Sequence, residues 1–218
     1  MSEPAWCSLL RRAFELIDQA ERSVGEPIEW SFGGGTVLML RMNHRHSKDV
    51  DIFLADQQVL GFFNPRVSDA AQGMTTAYDE SAGHVKLYLA EGEIDFVVAN
   101  PLLQDPFESI ALLDRAVVLE RSSEIVAKKM WHRGNLATAR DLFDLAAVNV
   151  HDPGAIEEAS PFFSRHAHAF LQQISARQAV MRAGFDAIDR REFALTFDEC
   201  QEIAESILRP LLAAHAEN

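Results

Sequence analysis

Residues 31–54 read Ser31-Phe-Gly-Gly-Gly-Thr-Val-Leu-Met-Leu-Arg-Met-Asn-His-Arg-His-Ser-Lys-Asp-Val-Asp-Ile-Phe-Leu54. The stretch joins a glycine run, a short apolar helix, a basic knot and a strand that carries two aspartates. Upstream, Ile28, Trp30 and Phe32 alternate with polar neighbours, which predicts a strand ending at Phe32. Gly33, Gly34 and Gly35 then leave the backbone bare, so N–H groups can approach a phosphate. Thr36 opens the next helix, whose N-terminus favours anions. Taken alone, the glycines fit a plain tight turn better than a phosphate loop.

The aspartates add chemistry. Strand side chains alternate, so Asp49, Asp51 and Phe53 share one face while Val50, Ile52 and Leu54 form the core face. Carboxylates at i and i+2 lie ~7 Å apart at the Cα atoms. Their repulsion at an effective dielectric near 20 is on the order of 2 kcal/mol. A cation between them would remove it, and Mg²⁺ suits one or two carboxylates plus substrate phosphates. The plainer alternative is an exposed edge with solvated acids. Among Arg41, His44, Arg45, His46 and Lys48, Arg45 could clamp a triphosphate in a bidentate way. A zinc site from His44, His46 and Asp49 is the weaker alternative, because no Cys or further His completes it nearby.

Gly34-Gly35-Thr36 followed by Arg45-His46-Ser47-Lys48-Asp49-Val50-Asp51 resembles the first motif of polymerase-β-like nucleotidyltransferases. The best match is the AbiEii/AbiGii toxin family of type IV toxin–antitoxin systems. The resemblance continues downstream. Glu93 to Val98 alternates as the second arm of a hairpin whose first arm is His84 to Leu89, with a turn at Glu91-Gly92. Asp95 on that arm is the candidate for the third carboxylate that the superfamily places beside the first two. The family often has a Lys two residues before this acid, where this chain has Glu93. Residues 124–145, Glu-Ile-Val-Ala-Lys-Lys-Met-Trp-His-Arg-Gly-Asn-Leu-Ala-Thr-Ala-Arg-Asp-Leu-Phe-Asp-Leu, resemble the later motifs, with Lys129 as the motif lysine and Arg140, Asp141 and Asp144 as the Arg-Asp-x-x-Asp group. On spacing alone, Lys129/Arg133 and Arg140/Asp144 read as helix-surface pairs at i, i+4.

The resemblance implies an α/β nucleotidyltransferase fold, a small mixed sheet flanked by helices with a helical C-terminal region. It implies a catalytic core over residues 1–121 and a helical region over 122–218 that completes the active-site cleft. Metal-binding Asp49, Asp51 and Asp95 would hold Mg²⁺, with Mn²⁺ as its substitute. Gly34, Gly35, Thr36, Arg45, Ser47 and Arg133 would bind the nucleoside triphosphate, ATP among the four. Asp49, Asp51, Asp95, Lys129 and Asp141 would carry catalysis, with Asp95 as base and Lys129 projecting into the cleft as a surface lysine that contributes little to stability. The implied partners are a tRNA acceptor and a cognate antitoxin protein. A small-molecule acceptor of the antibiotic type, and a non-catalytic nucleotide-binding protein on the same fold, are the competing readings.

Composition limits the alternatives. The chain has 218 residues, 48% hydrophobic, with a formal charge of −13, which argues against a generic nucleic-acid coat while leaving room for a local basic groove. Two distant cysteines, Cys7 and Cys200, suit a reducing cytoplasm and offer no disulfide framework. No leader peptide and no membrane-length apolar run is expected. The remaining expectations are a helix over 8–23, a helix over 36–43, a short helix near 67–72, a strand near 74–78, a loop and short helix over 101–114, a last edge strand over 116–119, a helix over 122–132, a helix capped by Thr138, and amphipathic helices over 161–184 and 197–214.

Overall fold

The computed structural model describes residues 3–216. By their contacts these form two compact units. The first comprises residues 1–37, 47–101 and 107–120; the second comprises 38–46, 102–106 and 121–218. The segments 38–46 and 102–106 therefore belong with the helical second unit although they are threaded through the first part of the sequence.

The first unit opens with α1 (Ala5–Val24), which buries Leu9, Leu10, Ala13, Ile17 and Ala20 at helical spacing. Gly25 ends it in the left-handed region (φ 87°), and its N–H donates to Glu21 O. A seven-stranded mixed sheet follows, in the order β3-β4-β5-β2-β1-β7-β6. The strands are β1 (Trp30–Gly33), β2 (Val50–Leu54), β3 (Tyr78–Ser81), β4 (His84–Tyr88), β5 (Glu93–Val98), β6 (Phe107–Leu112) and β7 (Arg115–Glu120). β1 runs parallel to β7, and β2 parallel to β5. Every other neighbouring pair is antiparallel.

The alternation in β2 places Val50, Ile52 and Leu54 fully inside while Asp51 and Phe53 stay partly exposed. Phe32, Val85, Leu87, Ile94, Phe96 and Leu119 join the same core layer. Phe63, from a 3₁₀ helix over Gln57–Phe63, stacks on Phe96 with ring centroids 4.1 Å apart. Full burial of one such side chain stabilises by roughly 1.5–3 kcal/mol.

Two sequence expectations are corrected here. Residues 107–112 form β6 rather than a loop and helix, and β7 is an interior strand between β1 and β6. The reason is a two-residue hairpin turn in which Leu113 and Asp114 both take positive φ (50° and 62°). That is the twist a primed turn requires, supplied here without glycine. The short helix expected near 67–72 is α3 (Asp69–Met74), and the strand expected near 74–78 lies later, at Tyr78–Ser81.

The second unit is helical. α2 (Gly34–Met42) starts in the first unit and ends in this one. It is followed by α4 (Ser122–Arg133), α5 (Ala139–His151), α6 (Pro153–Ala159), α7 (Ala167–Ala176), α8 (Gln178–Asp186) and α9 (Phe197–Ala216). The single helix expected over 161–184 is two helices, broken at Arg177 (φ −116°, ψ 30°). Phe143 sits at the centre of the core, edge-on to Phe185 and Phe193 at 5.5 Å each. Thr138 and Asp141 form a reciprocal capping box at the start of α5. Among the described residues, no helix is long and apolar enough to cross a membrane.

Candidate active site

The register of the first unit's sheet builds one polar row. Lys86 on β4 is the pairing partner of Asp95 on β5, Asp95 of Asp51 on β2, and Asp51 of Gly33 on β1. Paired residues share a face, so Lys86, Asp95 and Asp51 stand side by side with a strand spacing of about 4.8 Å. Glu120 of β7 reaches the same place, since a Cβ on Gly33 would lie 2.3 Å from its Oε2. Glu120 is fully buried, and Ser31 Oγ donates to its Oε1 at 3.4 Å.

The glycine run has a physical explanation in this row. Gly34 takes a left-handed conformation (φ 70°), and a Cβ there would collide with Asp51 Oδ2 at 1.9 Å. Two successive glycines thus admit two carboxylates, Glu120 over Gly33 and Asp51 over Gly34. Thr36 is fully buried, and its hydroxyl lies 2.9 Å from Ser47 Oγ and 2.5 Å from the Asp49 carbonyl that accepts from it. It ties the start of α2 to the entry of β2. The Asp49 carboxylate is engaged as well, with Oδ1 accepting from the Glu93 N–H at 3.2 Å.

Asp95 is the poised member. Its Oδ2 lies 3.4 Å from Lys86 Nζ, while its Oδ1 is buried without a hydrogen-bond partner. Burial pushes its pKa above the usual carboxylate range, and the nearby Lys86 offsets that only in part. On Lys86 itself burial acts downward, but hydrogen bonding to Glu93 and the charge of Asp95 carry its pKa above the ordinary lysine value.

Among the described residues, no three His, Cys, Asp or Glu side chains are arranged to hold one ion. The first unit therefore offers the neighbouring carboxylates Asp51 and Asp95, a donor set that suits Mg²⁺ completed by substrate phosphate oxygens. The orphaned Asp95 Oδ1 fits that group. His44, a member of the zinc alternative, is buried with its Nε2 2.9 Å from Asp144 Oδ1 in the second unit.

The second unit holds a buried ion network centred on Asp144, which is fully buried. Arg45 grips it side-on, Nε to Oδ1 at 2.7 Å and Nη2 to Oδ2 at 2.9 Å. His44 Nε2 lies 2.9 Å from Oδ1, and Lys129 Nζ donates to Oδ2 at 2.8 Å. Lys129 also donates to Asp141 Oδ1 at 2.9 Å. Asp141 Oδ2 accepts from Arg133 at 2.8 Å and from both the N–H and hydroxyl of Thr138.

Burial alone would raise the pKa of Asp144, but Lys129 and Arg45 together overcome it and hold the carboxyl well below its usual range. Asp141 is held down against burial by Lys129 and Arg133. Burial acts to lower Lys129, and Asp144 and Asp141 reverse it.

This network corrects the expectation that Lys129 is a surface lysine of little weight in stability, since its side chain is only 17% exposed and is held by Asp141 and Asp144. The helix-surface pair Arg140/Asp144 is corrected too, because Arg140 is exposed while Asp144 points inward. Of the basic knot, His44 and Arg45 are buried, while His46 and Lys48 are exposed. Sequence reasoning missed Lys86 and Glu120, and it did not foresee His44 as a partner of Asp144. Lys86 was within reach of it, since counting across the Glu91-Gly92 turn puts Lys86 opposite Asp95.

The chain resembles MenT4, a nucleotidyltransferase toxin from Mycobacterium tuberculosis, at 17% identity and a TM-score of 0.52, covering 94% of this chain and 84% of that one. It also resembles JHP933 from Helicobacter pylori at 13% identity and a TM-score of 0.47, covering 100% and 97%. At these identities the likeness concerns the fold. No curated protein sequence matches. The family model for the nucleotidyl transferase AbiEii toxin of type IV toxin–antitoxin systems matches residues 22–209. The chain belongs to the AbiEii nucleotidyltransferase toxin family, whose members act on a nucleoside triphosphate with a divalent metal and are paired with an antitoxin.

Proposed function

We propose that the protein transfers a nucleoside monophosphate from a nucleoside triphosphate to a tRNA acceptor, with Mg²⁺, as the toxin of a cytoplasmic toxin–antitoxin pair. The observation that carries this reading is the placement of Asp51 and Asp95 side by side on parallel strands, next to the Gly33-Gly34-Gly35 turn. Asp51 and Asp95 hold the divalent ion, with Asp49 flanking them. When bound, that ion supplies positive charge to the phosphate oxygens. Backbone N–H groups of Gly34, Gly35 and Thr36 at the start of α2 face the triphosphate. The hydroxyls of Thr36 and Ser47 keep that turn fixed against β2.

In the reaction the acceptor hydroxyl forms a bond to the α-phosphorus. The bond from that phosphorus to the bridging oxygen breaks, and pyrophosphate leaves. The hydroxyl proton passes to Asp95, which keeps one carboxylate oxygen without a hydrogen-bond partner. In the second unit, Asp144 and His44 set the rotamers of Arg45 and Lys129. Within that unit Lys129 supplies positive charge for a phosphoryl group, and Arg133 binds phosphate. Catalysis of this type is largely positioning and electrostatics.

The test incubates the protein with each α-labelled nucleoside triphosphate, Mg²⁺ and total tRNA. Label on RNA with wild type and none with Asp51→Asn is the expected result. Triphosphate binding without labelled RNA for any of the four would overturn the tRNA assignment and return a small-molecule acceptor, which the net charge of −13 also suits.

A further inference from the structure

We infer that Lys86 is a positioning residue for the reaction, holding Asp95 with its inner oxygen presented to the bound cation. The inference rests on the reading of Asp51 and Asp95 as the cation-holding pair.

The geometry runs through three strands. β4 and β2 flank β5 on opposite sides, and the register sets Lys86 across from Asp95 on one side and Asp51 across from it on the other. Lys86 Nζ lies 3.0 Å from Glu93 Oε2 and 3.4 Å from Asp95 Oδ2. Glu93 and Asp95 are two apart on one strand, so they share a face and form a fork around the ammonium group. An ammonium has three donors, and engagement by two carboxylates restricts an otherwise flexible stem.

A carboxylate that turns Oδ2 toward β4 turns its other oxygen away from β4. That other oxygen, Oδ1, is buried and has no hydrogen-bond partner. A buried acceptor left without a donor is costly. The arrangement is thus stable only because Lys86 and the sheet define the rotamer, and a ligand for Oδ1 would remove the penalty. Metal-ligating carboxylates behave this way generally: a hydrogen bond to one oxygen fixes the other for the ion. Lys86 touches neither substrate nor cation in this arrangement; it acts through Asp95.

The test measures Mn²⁺ binding to the full chain without nucleotide, from the electron paramagnetic resonance signal of free Mn²⁺. Lys86→Met should weaken binding about tenfold. Lys86→Arg, which keeps the charge and the donors, should bind within about threefold of wild type. Melting temperatures accompany each variant, and Lys86→Gln serves as a second neutral variant should the Met form melt early. Lys86→Met or Lys86→Gln binding Mn²⁺ as tightly as wild type would overturn the inference while leaving the cation pair standing. Wild type that binds no Mn²⁺ would overturn the cation pair itself, and the inference with it.

Discussion

Asp144 is fully buried and Asp95 partly so, each in contact with a lysine, and they are opposites. Asp144 receives Arg45, Lys129 and His44, so both its oxygens are satisfied and its pKa falls well below the usual range. Asp95 receives Lys86 at 3.4 Å on one oxygen, keeps the other bare, and titrates higher than usual. Burial works in the same direction on both; the number of donors decides the sign. A saturated carboxylate organises its donors, and an unsaturated one is left able to take a cation or a proton. Asp144 in the helical unit is of the first kind and Asp95 in the sheet unit of the second.

The largest effect that sharpens the contrast is on turnover. Asp51→Asn should lower nucleotidyl transfer by about 10³-fold, measured as labelled product per folded molecule. The melting temperature should hold or rise, because the substitution removes repulsion between Asp51 and Asp95. A large fall in melting temperature would show that Asp51, like Asp144, is structural.

Asp144→Ala ranks next, and its effect is on stability. It strands Arg45 and Lys129 beside one another inside the protein, a loss of roughly 3–5 kcal/mol and about 10 °C in melting temperature. Lys129→Ala should also destabilise, by less, because Asp144 keeps Arg45 and His44. An unchanged melting temperature for Lys129→Ala would reinstate the surface lysine.

The same pair differs in pH. A depressed carboxyl stabilises the fold above its unfolded pKa, near 3.9, and that stability is lost as pH falls through the folded value. Asp144 and Asp141 therefore hold the fold through mild acid, and their contribution is lost progressively as pH falls below about 4 toward their lowered folded values. Asp95 has the reverse sign: its raised pKa favours the fold at low pH, and the contribution is lost as pH rises through the folded value. Melting temperature against pH should fall steeply below about pH 4 in wild type and less steeply in Asp144→Asn.

Much of this was legible in the residues. The alternation of Val50, Ile52 and Leu54 fixed the inner face of β2, and the Glu91-Gly92 turn fixed the β4–β5 hairpin. The capping box was readable because Thr138 and Asp141 are three apart. The β6–β7 hairpin was not, since Leu113-Asp114 lacks the glycine that marks a primed turn. The ion network was hidden for a different reason. Charges at i, i+4 look the same on a solvated face and inside a core, and the partners of Asp144 on α5 come from residues 44, 45 and 129. The glycine run was legible as bare backbone, but not that Asp51 and Glu120 fill the space above it.

Arg133 is where the saturated network meets solvent, and it carries the smallest effect. Its side chain is 50% exposed while its partner Asp141 is almost fully buried. Water screens the exposed end, and Asp141 keeps Lys129 and Thr138 when Arg133 is gone. Arg133→Ala should therefore cost less than about 1 kcal/mol and shift the melting temperature by no more than roughly 3 °C. The function of that exposed guanidinium is tested by charge reversal. If the acceptor is tRNA and Arg133 neutralises one of its phosphates, one counterion is released there on binding. The slope of log affinity against log salt should then fall by about one in Arg133→Glu. Triphosphate binding at the sheet unit should persist, since Asp51 and Asp95 are untouched. An unchanged slope would confine Arg133 to the network around Asp141, and a melting temperature far below wild type would make even its exposed end structural.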